Sequence, residues 1–289
     1  MEQILANGFY LGAQYAMIAL GLTLIFALMN VLNFAHGQMY VLGGFVTYTF
    51  YGQLGVPFIL ALTASCVTLA VLGALIERFL FAPVIRRSSR EESTMLLAAA
   101  IAFLLDAIIL LVFGEKQRGV PKIVDGVLNW DFRLIMPYDR ILICVLAILS
   151  IVTFILFMQY SRTGRALRAL AQDRVAAQLM GVDVERYSMV GFALGALLAG
   201  LVGGLLVTIT GVNLGMGGPT SIKAFMMVMI GGAGVISGAI WGGFILGFLE
   251  AIGLAVLSQY GDITYLLIFV SLMIFLAIRP QGLMGKPWG

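Results

Sequence analysis

Apolar residues run along this chain in long unbroken blocks, with short polar stretches between them. Each block is about as long as a helix needs to cross roughly 30 Å of hydrocarbon. The runs are continuous rather than alternating, so they predict helices and not a barrel. Nine candidate spans follow, at 4–29, 36–54, 57–81, 94–114, 139–160, 187–210, 222–236, 238–257 and 262–279. The seventh is short enough for a partial or re-entrant span. The fold expected is an all-α polytopic membrane protein of about 8–9 transmembrane helices with broken or re-entrant segments, in one domain over 1–289.

Composition agrees. The chain is 61% hydrophobic and 11% charged, too little polar surface to cover a soluble domain of 289 residues. Cys66 and Cys144 fall inside apolar runs and have neither disulfide nor metal spacing. A single histidine excludes a multi-histidine metal site. Nothing here points to nucleic acid, and no Gly-x4-Gly-Lys-Ser/Thr phosphate loop occurs, so the chain is not an ATPase.

Basic residues set an expected orientation. None precedes Arg78. Arg86, Arg87 and Arg90 follow the third span, and Arg162, Arg165, Arg168, Arg174 and Arg186 crowd a polar island at 161–186. Both links fall on one side, taken as cytoplasmic, and the C-terminus with Arg279 and Lys286 joins them if 222–236 crosses. The loop 115–138 then lies outside, although it carries Lys116, Arg118, Lys122 and Arg133. Asp125, Asp131, Trp130 and two prolines fit it either for a soluble partner or for an ordinary solvated hairpin. Glu77 and Arg78 near a span end are expected to snorkel.

Sixteen of the 35 glycines lie between Gly191 and Gly247, many at four-residue spacing. Such spacing lets helices approach closely. Gly231-Gly232-Ala233-Gly234 reads as a helix break within the membrane, with Gly238 and Gly242 packing after it. The stretch 211–219 is too glycine-rich for a helix and reads as a turn. Near the N-terminus, Asn33 is placed to cap a helix starting at Phe34, and His36 reads as a cap or hydrogen-bonding group, or else as a substrate contact. Asp106, Lys223 and Glu250 sit within apolar segments. Charges at such depth face a bundle interior or water, often in pairs. Asn33, His36, Asp106, Lys223 and Glu250 are therefore the candidates for a translocation path.

The island is predicted to form one short surface helix, with Leu167, Leu170 and Ala171 on one face, Gly181 at its C′ position and Asp183 capping the next span. By composition alone it is a solvated or lipid-surface link. Its residue order says more. Arg162-Thr-Gly-Arg165-Ala-Leu-Arg168-Ala, followed by Ala176-Ala177-Gln-Leu-Met-Gly181-Val, resembles the ATPase-docking loop of the permeases of branched-chain amino acid ABC importers, the LivH/LivM type. Asn30 to Gly37, Phe225 to Gly243 with its Gly-Gly-Ala-Gly-Val-Ile-Ser-Gly-Ala-Ile-Trp-Gly-Gly run from Gly231, and Arg279-Pro-Gln-Gly-Leu283 resemble the same family in the same order. The Asn-Phe-Ala-His-Gly pattern is nearer LivH than LivM. One departure is Val175, where importer loops often carry Glu.

The resemblance implies a permease in the bacterial inner membrane with no cofactor of its own. ATP and magnesium would sit on two partner ATPase subunits, beside a second, LivM-like permease, a periplasmic binding protein and the lipid bilayer. Arg165, Arg168, Asp173, Ala176, Ala177 and Gly181 are the implied ATPase contacts. The implied substrate is a branched-chain or other neutral amino acid, with urea or short amides as alternatives. From another class, a stand-alone secondary transporter or channel would use Asp106, Glu250 and His36 for ion coupling.

Overall fold

The computed structural model describes residues 1–29, 33–87, 91–130, 134–256 and 261–285. Asn30, Arg90, Asp131, Arg133 and Lys286 lie outside them. Among the described residues the helices are α1 (Glu2–Met29), α2 (His36–Thr47), α3 (Phe58–Ile76), α4 (Ala82–Arg87), α5 (Glu91–Phe113), α6 (Tyr138–Tyr160), α7 (Arg162–Gln172), α8 (Arg174–Leu179), α9 (Val184–Thr210), α10 (Gly217–Gly231), α11 (Ile236–Val256) and α12 (Gly261–Ile278). α2 continues as a π-helical turn, Tyr48–Gln53, and another, Glu77–Phe81, joins α3 to α4. The strands β1 (Val127–Trp130) and β2 (Leu134–Pro137) form an antiparallel hairpin before α6.

Among the described residues six helices are long and apolar enough to cross a membrane: Glu2–Met29, Phe58–Arg87, Glu92–Phe113, Tyr138–Tyr160, Val184–Thr210 and Ile236–Val256. The third predicted span is thus longer than expected and carries Arg86 and Arg87 on its last turn. α10, with 15 residues, reaches about 22 Å at 1.5 Å per residue, short of a full crossing. It starts earlier than predicted. Gly217, Gly218 and Pro219 form its first turn, where a proline's missing N–H costs nothing. The stretch 211–219 is therefore a turn only in its first half.

α1 and α9 form the buried centre. α1 packs along α11, α9 and α10, and α9 packs along α3 and α2. The α1–α11 contact runs antiparallel with almost no side chain between the backbones. A Cβ on Gly247 would strike the backbone of Gly12, and one on Gly243 would strike Ala16. Without a hydrophobic drive between helices in lipid, such close approach supplies the association through van der Waals contact. Ser65 of α3 adds a polar tie, its hydroxyl 2.9 Å from the Gly43 carbonyl of α2 and 3.0 Å from the Gly200 carbonyl of α9.

The two ends of the bundle differ. At one end lie the β-hairpin and the loop 114–126. Gln3 accepts from the Ile135 N–H, and Arg118 exchanges backbone hydrogen bonds with Val212. Asp139 is buried there and accepts from the N–H groups of Ile123 and Val124. So this loop is tied down rather than freely solvated. At the other end lie α7, α8 and the C-terminal turn.

Candidate functional site

The island is two helices, not the one predicted. Asp173 takes an extended conformation (φ −157°, ψ 112°) and ends α7. Its Oδ1 then accepts from the N–H groups of Val175 (2.8 Å) and Ala176 (3.0 Å), opening α8. An Asp prefers this capping geometry to a helix interior because its short carboxylate competes for nearby N–H groups. Ser161 caps α7 in the same way through the Gly164 N–H, and Asp183 caps α9 through the Arg186 N–H, as expected. Gly181, at φ +85°, is the left-handed residue that ends α8.

Several implied ATPase contacts have work inside the chain. Arg165 donates to the Tyr160 carbonyl and Arg168 to the Gln159 carbonyl, each at 3.2 Å, so both satisfy free acceptors at the end of α6. Leu167, Leu170 and Ala177 are buried, which fastens the elbow to the bundle. Ala171 does not join Leu167 and Leu170 in the core; it is exposed and lines a cavity. Ala176 is exposed. Beside the exposed Gln178, α8 and the residue that ends it present three apolar side chains outward: Val175, Leu179 and Met180 are 69%, 83% and 85% exposed. The sequence marks all three positions, in the quoted motif or as its one departure, but not their exposure.

That cavity, about 800 Å³, lies beside the elbow. Its wall combines Leu167, Arg168 and Gln172 of α7 with Ala233, Gly234 and Ser237 from the glycine break, and Pro280 and Gln281 from the C-terminal turn. Three stretches far apart in sequence therefore meet at one place, at one end of the molecule. Gly232 (φ +104°) and Gly234 (φ +80°) make the break between α10 and α11. Gly231 backs onto Gly238, and Gly242 onto the Met227 carbonyl, closing α10 and α11 into a tight hairpin. The N–H groups of Leu283 and Met284 donate to the Ile230 and Gly231 carbonyls, so the C-terminal turn caps α10.

The other end of α10 is held by the N-terminal motif. Ser221 accepts from the Gly37 N–H (3.0 Å) and donates to the Phe34 carbonyl (3.1 Å). The helix begins at His36, two residues later than predicted, because Asn33 closes a turn instead, its Oδ1 accepting from the Ala35 N–H at 3.1 Å. His36 is buried, with Nε2 3.3 Å from the Ile18 carbonyl of α1. Asp106 accepts from the Gln38 amide at 3.1 Å. Glu77, expected to snorkel, is instead buried at the start of the π-helical turn after α3, which packs against α9. At the end of that span Arg86 forms an exposed ion pair with Glu185.

Lys223 and Glu250 come together. The Lys223 ammonium donates to both carboxylate oxygens, at 2.9 and 3.0 Å, and to the Tyr15 hydroxyl at 2.7 Å. Tyr15 in turn donates to Glu250 at 2.5 Å. Three helices thus share one charge-neutral ring. Its side chains are unequally sheltered: Glu250 is 5% exposed and Lys223 is 26%. Tyr15 carries no sequence signal of its own, sitting in a mostly apolar helix beside Gln14.

Residues 4–277 match the family described as the permease component of the branched-chain amino acid transport system. The chain belongs to this family. Relatives include the permease BraD of Pseudomonas aeruginosa and LivH of Escherichia coli. Each is 33% identical over 99% of this chain and 96% of the relative. A probable LivH of Methanocaldococcus jannaschii is 30% identical over 94% of this chain and 89% of its own. PsaBC from Streptococcus pneumoniae, solved in complex with a Fab, shares the fold at TM-score 0.52 and 16% identity, over 96% of this chain and 92% of that one.

The branched-chain amino acid permease is thus a multi-pass membrane component of an ABC transport system. It is not itself an enzyme, and it works with ATPase and binding-protein partners. Membership sets aside the stand-alone transporter or channel.

Proposed function

We propose that this chain moves branched-chain amino acids across a bacterial inner membrane through a route along α10, with the α7–α8 elbow as the ATPase contact. The elbow end, rich in arginine, is then cytoplasmic, and the β-hairpin end receives the periplasmic binding protein. A second, LivM-like permease faces this one, and two ATPase subunits carry the ATP and magnesium. The chain holds no cofactor of its own.

The observation that supports this best is the exposed apolar face of α8. A Val, a Leu and a Met standing in water on a capped six-residue helix are costly unless something covers them. The arginines that the resemblance implicated keep the elbow attached to α6, so a push on α8 is carried into α6 and α9. Arg174 adds a second link, donating to Ser188 of α9 at 3.1 Å. The same force reaches the cavity, because α7 is one of its walls. A switch of this kind needs contacts that differ between its two states, and the elbow supplies them.

The route is supported by α10. Ile222, Lys223, Met226 and Met229 lie on one side of this helix, none of them buried, and Met229 opens into the cavity. A lysine there, a quarter exposed, is costly against hydrocarbon and tolerable against water or protein.

The test is pull-down of the ATPase subunits with Leu179→Glu/Met180→Glu. The expected result is loss of the ATPases from a permease that still inserts and runs as a single species. Normal association would remove the elbow from the contact.

A further inference from the structure

We infer that the Lys223–Glu250 pair, held by Tyr15, is the zwitterion-selecting element of this permease. The inference rests on the route along α10 proposed above.

An amino acid crosses with an ammonium and a carboxylate on the same carbon. Neither can shed its water into an apolar wall without a partner. The Lys223–Glu250 ring offers the complementary set. The substrate carboxylate takes the Lys223 ammonium, and the substrate ammonium takes the Glu250 carboxylate, so two ion pairs replace one. No net charge is created or buried at any stage. Charge-assisted hydrogen bonds of this kind are short and strong, and their geometry distinguishes partners.

The asymmetry of the ring suits this exchange. Lys223 is the open side, at 26% exposure, and sits on the presented face of α10 between Ile222 and Met226. Glu250 is sheltered on α11, and Tyr15 on α1 donates to it at 2.5 Å. When the ammonium turns toward a substrate, the Tyr15 hydroxyl stays on the Glu250 carboxylate, so that carboxylate is never left without a partner. A branched aliphatic side chain then rests on Ile222 and Met226. Urea and short amides carry no carboxylate for Lys223 and no ammonium for Glu250. The ring therefore selects against them, because a buried charge left unpaired rejects the analogue that fails to meet it.

The test uses the complete complex in proteoliposomes, with binding protein at saturation and radiolabelled leucine. Wild-type complex that moves no leucine would sink the route itself, separately from the ring. Given wild-type uptake, Lys223→Met/Glu250→Gln removes both charges together, which spares the fold the lone buried charge that a single change would leave. The inference expects leucine uptake to fall about tenfold or more, while ATPase association and unfolding temperature stay at wild-type values, so ATP hydrolysed per leucine rises. A purely structural pair would move assembly or stability and leave uptake per assembled complex unchanged; that result overturns the inference. Should the double variant fail to assemble, Tyr15→Phe decides. It deletes one oxygen and keeps the ion pair, so reduced uptake by an intact complex supports the ring. Wild-type uptake there overturns it.

Discussion

Asp173 separates two physical roles for the elbow. As a charge, it would contact an ATPase subunit; as a cap, it starts α8. The structure shows its Oδ1 on two N–H groups. Replacing an N-cap Asp by Ala costs about 1 kcal/mol, within a range of about 0.5 to 2. α8 has six residues and buries only Ala177, so besides the Arg174–Ser188 hydrogen bond little else holds it. For a segment formed about nine-tenths of the time, a cost of 1 to 2 kcal/mol lowers the formed fraction to between about two-thirds and one-quarter. Affinity for a partner that needs α8 formed falls in proportion, by about 1.5- to 4-fold. Asp173→Asn keeps a side-chain oxygen and caps about as well. The assay is titration of purified ATPase subunits onto the permease in nanodiscs, with wild type, Asp173→Ala and Asp173→Asn side by side. The cap requires Ala to weaken binding by that factor and Asn to leave it near wild type. If Asn weakens binding as much as Ala, the charge matters and the capping argument is refuted.

Two further outcomes follow from the packing. Ser221→Ala strands the Gly37 N–H in a buried site and frees the half-buried Phe34 carbonyl, so the unfolding free energy in detergent is expected to drop by about 1–3 kcal/mol; a drop below about 0.5 kcal/mol would contradict the buried hydrogen bond. Gly247→Leu drives a side chain into the backbone of Gly12, and overpacking there is expected to cost about 3 kcal/mol or more; a variant with wild-type thermal stability would show that α1 and α11 separate freely.

Much of the architecture is legible in the chain because the bilayer imposes one rule on every residue. The long apolar blocks, the glycine break at Gly231–Gly234 and the left-handed Gly181 each follow from local physics. The elbow between α7 and α8 was missed because Asp173 lies in a run of good helix formers, and its capping geometry wins only once Leu167 and Leu170 are anchored. The Asn33 side chain does not cap the helix because the Gly37 N–H finds its partner in Ser221, 184 residues away, while the His36 N–H takes the Asn33 carbonyl. Lys223 and Glu250 were singled out separately, as costly charges. Their pairing, and Tyr15 between them, depends on three helices meeting, which no local pattern records. Arg165 and Arg168 have a further role for the same reason: their backbone acceptors belong to α6.

The C-terminal turn has a consequence for how this protein is made. α10 ends at Gly231, yet the N–H groups that complete its last carbonyls belong to Leu283 and Met284. A ribosome delivers those residues more than fifty positions later, after α11 and α12 have emerged. Until then α10 stands in or near the bilayer with open acceptors, where each unsatisfied group is expensive. The hairpin of α10 and α11 is therefore finished only once Leu283 and Met284 have emerged. A nascent chain cut short before Leu283 carries a recognisable flaw at that spot, and the cell's membrane proteases have a physical basis for telling an incomplete copy from a finished one.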